Sequence, residues 1–467
     1  MLALAVALVA PSAALAAPTP QRARPPVQTL GTLVQLPGSS GCLVDRSKSK
    51  PGCQPVRALR GPAPFLGSEA VAISPDGGNV YVAASTSNAI AVFNRNAATG
   101  KLTQAAGAAG CIAEHGAGGC ATAVGLAGPN SVAVSADGAT VYATSLQSDA
   151  VDTFHRSSST GALSQATDGS GCTADASTAG CTLGRALDGP DVVTVSPDGH
   201  NVYVGAFKGS AVAIFARDPS TGDLTQLTDD TGCLVDVPTA GCTTGLALGA
   251  PEGMAISADG DNVYVAAAAS SALDVFTRNP STGALTQAGD GSGCLADSPL
   301  TGCTTGLQLG GANAVAVSPN GDNVYVTSLL SNSLTTFTRT PTTGQLTQET
   351  GTSACVIFVF AVGCSLGQAL SAPEGLAVSP DGASVYTTSF ESGAVDVFNR
   401  NTDGGAVIQK PRRPGCLDLG GTPTCALGRA LLGVSSIAVS PDGKYVYAGA
   451  FASNSITVFK RITSATG

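Results

Sequence analysis

Tryptophan is missing from the chain, histidine appears three times in 467 residues, and charged side chains make up only 12% of it. With His155 and His200 beside recurrent turns and His115 in a glycine-rich loop, no Ser-His-Asp or Cys-His set can be assembled. There is no long lysine-rich or acidic run, and the net charge of −9 is spread thinly. That leaves no electrostatic footprint for a phosphate backbone or an anionic membrane and argues against nucleic acid as a partner. Low charge combined with 43% hydrophobic residues and 59 glycines describes a compact β-rich chain rather than a disordered one.

Residues 1–16 are apolar apart from Pro11 and Ser12 and end in Ala14-Leu15-Ala16, the small-x-small pattern of a cleaved signal peptide. The usual basic start is missing, so a retained anchor is the alternative, although the stretch is shorter than the roughly 20 residues of a membrane span. Residues 17–26, rich in proline, alanine and arginine, read as an extended linker. Residues 27–467 form the mature domain, with no transmembrane segment, and the expected location is extracellular or at the cell surface.

A Ser-Pro-Asp-Gly turn or a close variant recurs with its third residue at Asp76, Asp137, Asp198, Asp259, Asn320, Asp381 and Asp442, always 61 residues apart. Tyr81, Tyr142, Tyr203, Tyr264, Tyr325, Tyr386 and Tyr447 keep the same step, as do Phe93, Phe154, Phe215, Phe276, Phe337, Phe398 and Phe459. Each repeat holds four short β-rich runs separated by turn residues, for example 131–135, 140–145, 150–155 and 162–165. Four antiparallel strands in each of seven repeats predict an all-β, seven-bladed β-propeller. Gly31, Leu33 and Gln35 match fourth-strand residues such as Gly100, Leu102 and Gln104, while the last repeat stops after its third strand. The N-terminal strand is therefore expected to complete the last blade, which hides the edges of the ring.

The 14 cysteines fall in local pairs, one per repeat. The pairs are Cys42 with Cys53, Cys111 with Cys120, Cys172 with Cys181, Cys233 with Cys242, Cys294 with Cys303, Cys355 with Cys364, and Cys416 with Cys425. None is left over, which favours disulfides in an oxidising compartment. Closing a loop of this size contributes about 2–3 kcal/mol in the chain-entropy model. The loops join the fourth strand of one blade to the first strand of the next and form a crown on one face. Long ordered loops on a rigid scaffold usually carry function.

The segment Asp322-Asn323-Val324-Tyr325-Val326-Thr327-Ser328 and its counterparts in other blades resemble the YVTN-type propellers and the lactonase-like seven-bladed propeller superfamily. The resemblance implies the fold over nearly the whole mature chain. Its members range from lactone hydrolases and muconate-lactonising enzymes to surface proteins without a demonstrated reaction, so chemistry must come from the site.

Just before each first strand the residues read Glu69, Asn130, Asp191, Glu252, Asn313, Glu374 and Ser435. This oxygen-rich ring at the channel mouth suits a hard cation such as calcium, or else caps loops and faces channel water. A calcium site here is similar in composition to the metal sites of calcium-dependent propeller lactonases, in which the metal polarises the carbonyl. A second ring, just after strand two, reads Ser85, Leu146, Phe207, Ala268, Leu329, Phe390 and Phe451, with Lys208 and Glu391 adjacent. Phe207, Lys208, Phe390, Glu391 and Phe451 are its candidate ligand contacts.

Arg95, Arg156, Arg217, Arg278, Arg339, Arg400 and Arg461 end the third strands and are expected to pair with turn aspartates, except where Asn320 replaces one. The crown cations Arg57, Arg185, Lys208 and Arg429 are scattered, which argues against a phosphorylated substrate. Between Cys355 and Cys364 the run from Val356 to Val362 is apolar, so it either contacts a partner or packs over its neighbour. The leading expectation is a binding module for a protein, glycan or small ligand. A metal-dependent lactonase or lactonising enzyme comes second, and a structural spacer third.

Overall fold

The computed structural model describes residues 29–464, apart from 49, 63–68 and 177; the signal peptide and linker expected over 1–26 lie outside the described residues. Seven sheets follow one another around a ring, and the first strands of adjacent blades touch all the way round, so they line the axis.

The recurrent turn folds locally because its own side chains satisfy its backbone. Ser196 Oγ donates to Asp198 Oδ1 (2.5 Å), Asn201 N donates to Ser196 Oγ (2.9 Å), and Gly199 takes the left-handed conformation at φ 73°. The flanking residues then pair as antiparallel strands.

In the second blade Pro129–Val134, Thr140–Ser145 and Ala150–Arg156 pair in sequence, as expected, but the outer position is not a single fourth strand. Leu163–Ser164 pairs with the Arg156 end of the third strand, and Cys172–Ala174 pairs with its Ala150 end. Thr182–Leu183 runs parallel to the cysteine segment, making six strands per sheet. A fourth strand of the expected length is shorter than the seven-residue strand it must cover, so the chain leaves the edge and returns to it. Gln165 spans the gap, its amide donating to Gly171 O (2.8 Å) and, across the blade seam, to Val124 O (3.0 Å). Its Oε1 accepts from Val124 N (2.7 Å).

Leu33–Gln35 lies antiparallel to Ser455–Arg461, with Leu33 opposite Arg461 and Gln35 opposite Phe459. The N-terminal strand thus completes the last blade, and no covalent link is needed to close the ring.

The repeated tyrosines and phenylalanines are fully buried between blades. Tyr142 Oη donates to Gly222 O (2.6 Å) and accepts from Arg217 Nε (2.8 Å). The same guanidinium donates to Gly199 O (3.1 Å) and to Asp137 Oδ2 of the preceding blade (2.8 Å). Six arginines make this ion pair across a seam. At the remaining seam Arg400 donates to Asn320 Oδ1 (3.1 Å), and the charge pair is lost as the sequence implied.

All seven expected disulfides are present. In the Cys355–Cys364 loop, Val356 and Ile357 are buried in the blade edge, whereas Phe358, Val359, Phe360 and Val362 are exposed, Val362 to 88%. No helix among the described residues is long and apolar enough to cross a membrane.

Candidate active site at the crown-face mouth

The inner ring does not precede the first strands; in six blades it lies within them. Pairing slips by one residue between Pro129 and Ser131, and the residue left out of register is Asn130. Equivalent irregularities hold Asp191, Glu252, Asn313, Glu374 and Ser435. A bulge leaves one residue unpaired and re-aims its side chain, which is how a repeated strand can present a different group at the same place from blade to blade. Glu69 alone stands outside its strand, before Val71–Ile73.

The amides of this ring are already committed. Asn130 Nδ2 donates to Asp191 Oδ1, and Asn130 Oδ1 accepts from Thr144 Oγ1 (2.9 Å). Asn313 Nδ2 donates to Pro373 O (2.9 Å), and its Oδ1 accepts from Thr327 Oγ1 (3.0 Å). A calcium cage needs six to eight converging oxygens. Both amide oxygens here are held by hydroxyls, and among the described residues no three His, Cys, Asp or Glu side chains gather to hold a metal. The donor set does not fit calcium.

The carboxylates are perturbed. Burial pushes Glu252 up to about 8. Burial, then the charge of Glu252, raises Asp191 well above the usual carboxylate range against the opposing hydrogen bond from Asn130, and Glu374 adds to the rise. Asp191 Oδ2 is buried without a hydrogen-bond partner. Burial pushes Glu69 to about 7, but its side chain is exposed and solvent tempers the shift. Glu252 is only 2% exposed and is the better-enclosed base.

The enclosure of Glu252 has a local cause in Ala250-Pro251-Glu252-Gly253, which recurs as Ala372-Pro373-Glu374-Gly375. A Cβ on Gly253 would lie 2.6 Å from the Asn313 carbonyl oxygen, so only glycine lets the next inner strand come this close. Ala250 and Ala372 adopt left-handed φ of 56° and 51° where four other blades use glycine, a strained conformation of the kind that clusters at functional sites. This doubled motif sets Glu252 and Glu374 together apart from the rest of the ring, without distinguishing one from the other.

The second ring is half-buried throughout, and all of it but Phe390 divides between two cavities. Phe207, Ala268 and Leu329 join Glu252, Ala250, Ala269, Gly311 and Leu330 around about 260 Å³. Ser85, Leu146 and Phe451 line another of about 400 Å³ with Thr86, Asn88, Gly128 and Gln147. The five candidate ligand contacts therefore do not form one cluster. Lys208 lies 3.9 Å from Asp149, Glu391 accepts from Ser371 Oγ (2.8 Å), and Phe390 packs towards Gly433.

Arg185 and Arg429 are structural. Arg185 donates to Gly241 O and Leu227 O, and Arg429 to Gly38 O and Leu36 O, tying each loop to the next blade.

A family model described as lactonase, 7-bladed beta-propeller, matches residues 66–175 and 298–414. The chain is a seven-bladed propeller that resembles the lactonase family over these two segments. No curated protein matches this lactonase-like chain in sequence. Among solved structures it is similar to the periplasmic gluconolactonase of Pseudomonas aeruginosa, at 20% identity and TM-score 0.50, covering 81% of this chain and 93% of that one. A putative 6-phosphogluconolactonase of Bacteroides fragilis is similar at 17% identity and TM-score 0.50, covering 72% and 81%. The hydrazine synthase of Kuenenia stuttgartiensis is similar to the same degree, at 17% identity and TM-score 0.50, covering 86% and 98%. Likeness at this level gives the fold and leaves the reaction to the site.

Proposed function

We propose that this protein is an extracellular hydrolase of small uncharged lactones, with Glu252 as its general base. The observation that carries the reading is a carboxyl raised to about 8 on the wall of an apolar cavity of about 260 Å³. A general base works best when its pKa lies near the operating pH. Ionised Glu252 takes a proton from water as the water oxygen bonds to the lactone carbonyl carbon. The ring C–O bond then breaks, and the leaving oxygen takes that proton back from Glu252, giving the hydroxy acid. Run in reverse, the same residue supports lactonisation.

Phe207, Leu329 and Leu330 supply apolar contact, and no cation lines the cavity, which disfavours a phosphorylated substrate. The family match supports lactone chemistry over the binding-only reading. Seven disulfides favour an oxidising, extracellular setting. One observation favours binding without chemistry, namely the exposed Phe358, Val359, Phe360 and Val362 at one loop tip.

The test is a pH-stat screen of aliphatic γ- and δ-lactones with the oxidised protein and its Glu252→Gln variant. Turnover that the substitution removes supports the hydrolase. Turnover that it leaves unchanged moves the base elsewhere, and no turnover at all returns the crown to a binding role.

A further inference from the structure

The crown has a second, chemically opposite feature where the closing blade meets the first. Between Asp45 and Arg60 the chain carries Arg46, Lys48, Lys50, Arg57 and Arg60 against the single acid Asp45, in a protein whose net charge is −9. The carboxylate of Asp45 is turned to its own loop. Its Oδ1 accepts from Ser47 N (3.0 Å) and Ser47 Oγ (2.6 Å), and its Oδ2 accepts from Leu59 N (3.0 Å). None of the five cations lies in an ion pair among the described residues.

Arg57 is built in, donating to Gly107 O (2.7 Å), Ala105 O (3.3 Å) and Gly119 O (3.4 Å), so neutral carbonyls rather than a carboxylate hold it in place. Arg46 and Arg60 are exposed beside it. Arg46, Arg57 and Arg60 line a cleft of about 240 Å³ together with Asp45, Ser87 and Gly118. Arg46 and Arg57 also line a neighbouring cleft of about 440 Å³ with Gln54, Pro55 and Gln104.

We propose that these two linked clefts bind an acidic glycan, a polymer carrying carboxylates on its sugar rings. Two recesses sharing Arg46 and Arg57 suit a ligand with acid groups at intervals, because the exposed forks of Arg46 and Arg60 match carboxylates bidentately while the anchored Arg57 adds its charge to both. Between the charges, the Ser87 hydroxyl and the Gln54 amide meet sugar hydroxyls, and Pro55 offers a flat apolar face. A lipid surface would call for apolar side chains beside the cations. None of the exposed large apolar residues among those described lines either cleft. This site lies apart from Glu252 and does not depend on lactone chemistry.

The test is calorimetric titration of the oxidised full chain with a short oligogalacturonate at low ionic strength. A neutral oligosaccharide and phosphatidylglycerol vesicles serve as comparison probes. The expected result is saturable 1:1 binding that added salt weakens and the neutral sugar does not reproduce. Arg46→Ala/Arg60→Ala should reduce it at least tenfold with an unchanged melting temperature. Arg46→Lys/Arg60→Lys should retain part of it, and Glu252→Gln all of it. No saturable binding, binding unchanged in the alanine double variant, or equally tight capture by vesicles would overturn the proposal.

Discussion

On the turn face, seven arginines meet six aspartates and one asparagine across the blade seams, while at the crown-face mouth Asp191 and Glu252 are enclosed with no lysine or arginine in ion-pair reach among the described residues. Both regions are built from the same repeat, yet their carboxyls move in opposite directions. Against the burial that would raise it, hydrogen bonds from Ser74, Gly78 and Arg156 lower Asp76 to about 2. Burial with no compensating cation raises Glu252 to about 8. A propeller can therefore hold its ring together on one face with pairs repeated at every seam, and keep reactive, costly groups on the other.

The comparison breaks most completely at Glu252. Glu252→Gln is expected to cut kcat/KM for a susceptible lactone by about 10²-fold or more, the usual worth of a general base. The circular dichroism spectrum should not change. In the unaltered protein kcat/KM should rise with pH towards a plateau above about 8, since the base must be ionised.

On the turn face the expected effect is on stability. Arg217→Ala removes the donors to Tyr142 Oη, Gly199 O and Asp137 Oδ2 at one seam. Breaking a buried pair costs about 3–5 kcal/mol, and the half-open Asp137 puts this one near the lower end. Denaturant unfolding would show the loss.

The opposed shifts also set the pH dependence of folding. Asp76, Asp137, Asp198, Asp259, Asp381 and Asp442 are held below the ordinary value of 3.8, so the stability they contribute is lost as pH falls through their folded pKa. Glu69, Glu252 and Asp191 hold protons that the unfolded chain releases, so their effect runs the other way. Stability falls as pH rises from about 4.5 to about 8. Melting temperature should peak in mildly acidic buffer, and Glu252→Gln should flatten the decline on the alkaline side.

The smallest effect restores a missing pair. Asn320→Asp opposite Arg400 should stabilise by under about 1 kcal/mol, because the partner position is partly solvated. A gain of several kcal/mol in a thermal melt would mean that this seam is less wet than the others.

The turn-face pairs could be read in advance because each arginine and aspartate recurs once per 61 residues, at fixed places in the repeat. The mouth could be read only as a list of positions. Nothing in the order Glu69, Asn130, Asp191, Glu252, Asn313, Glu374, Ser435 says which carboxyl is enclosed and which meets water. Asp152, Asp274 and Asp396 escaped notice altogether. Each sits across the strand pair from the first cysteine of its blade, and burial raises each well above the carboxylate range. The basic seam was hidden for another reason, since its cations are spread over 15 residues and gather only when the closing loop folds against the first blade.

The sequence by itself determined the seven blades, the closure of the ring, the disulfide pairing and the seam ion pairs, because each is written locally and then repeated. Only the tertiary structure decided the split outer strands, the bulges that turn the mouth residues inward, and the enclosure of Glu252. Those depend on how closely a neighbouring blade approaches, as the Asn313 strand does at Gly253, and desolvation is a property of that neighbourhood rather than of the residue.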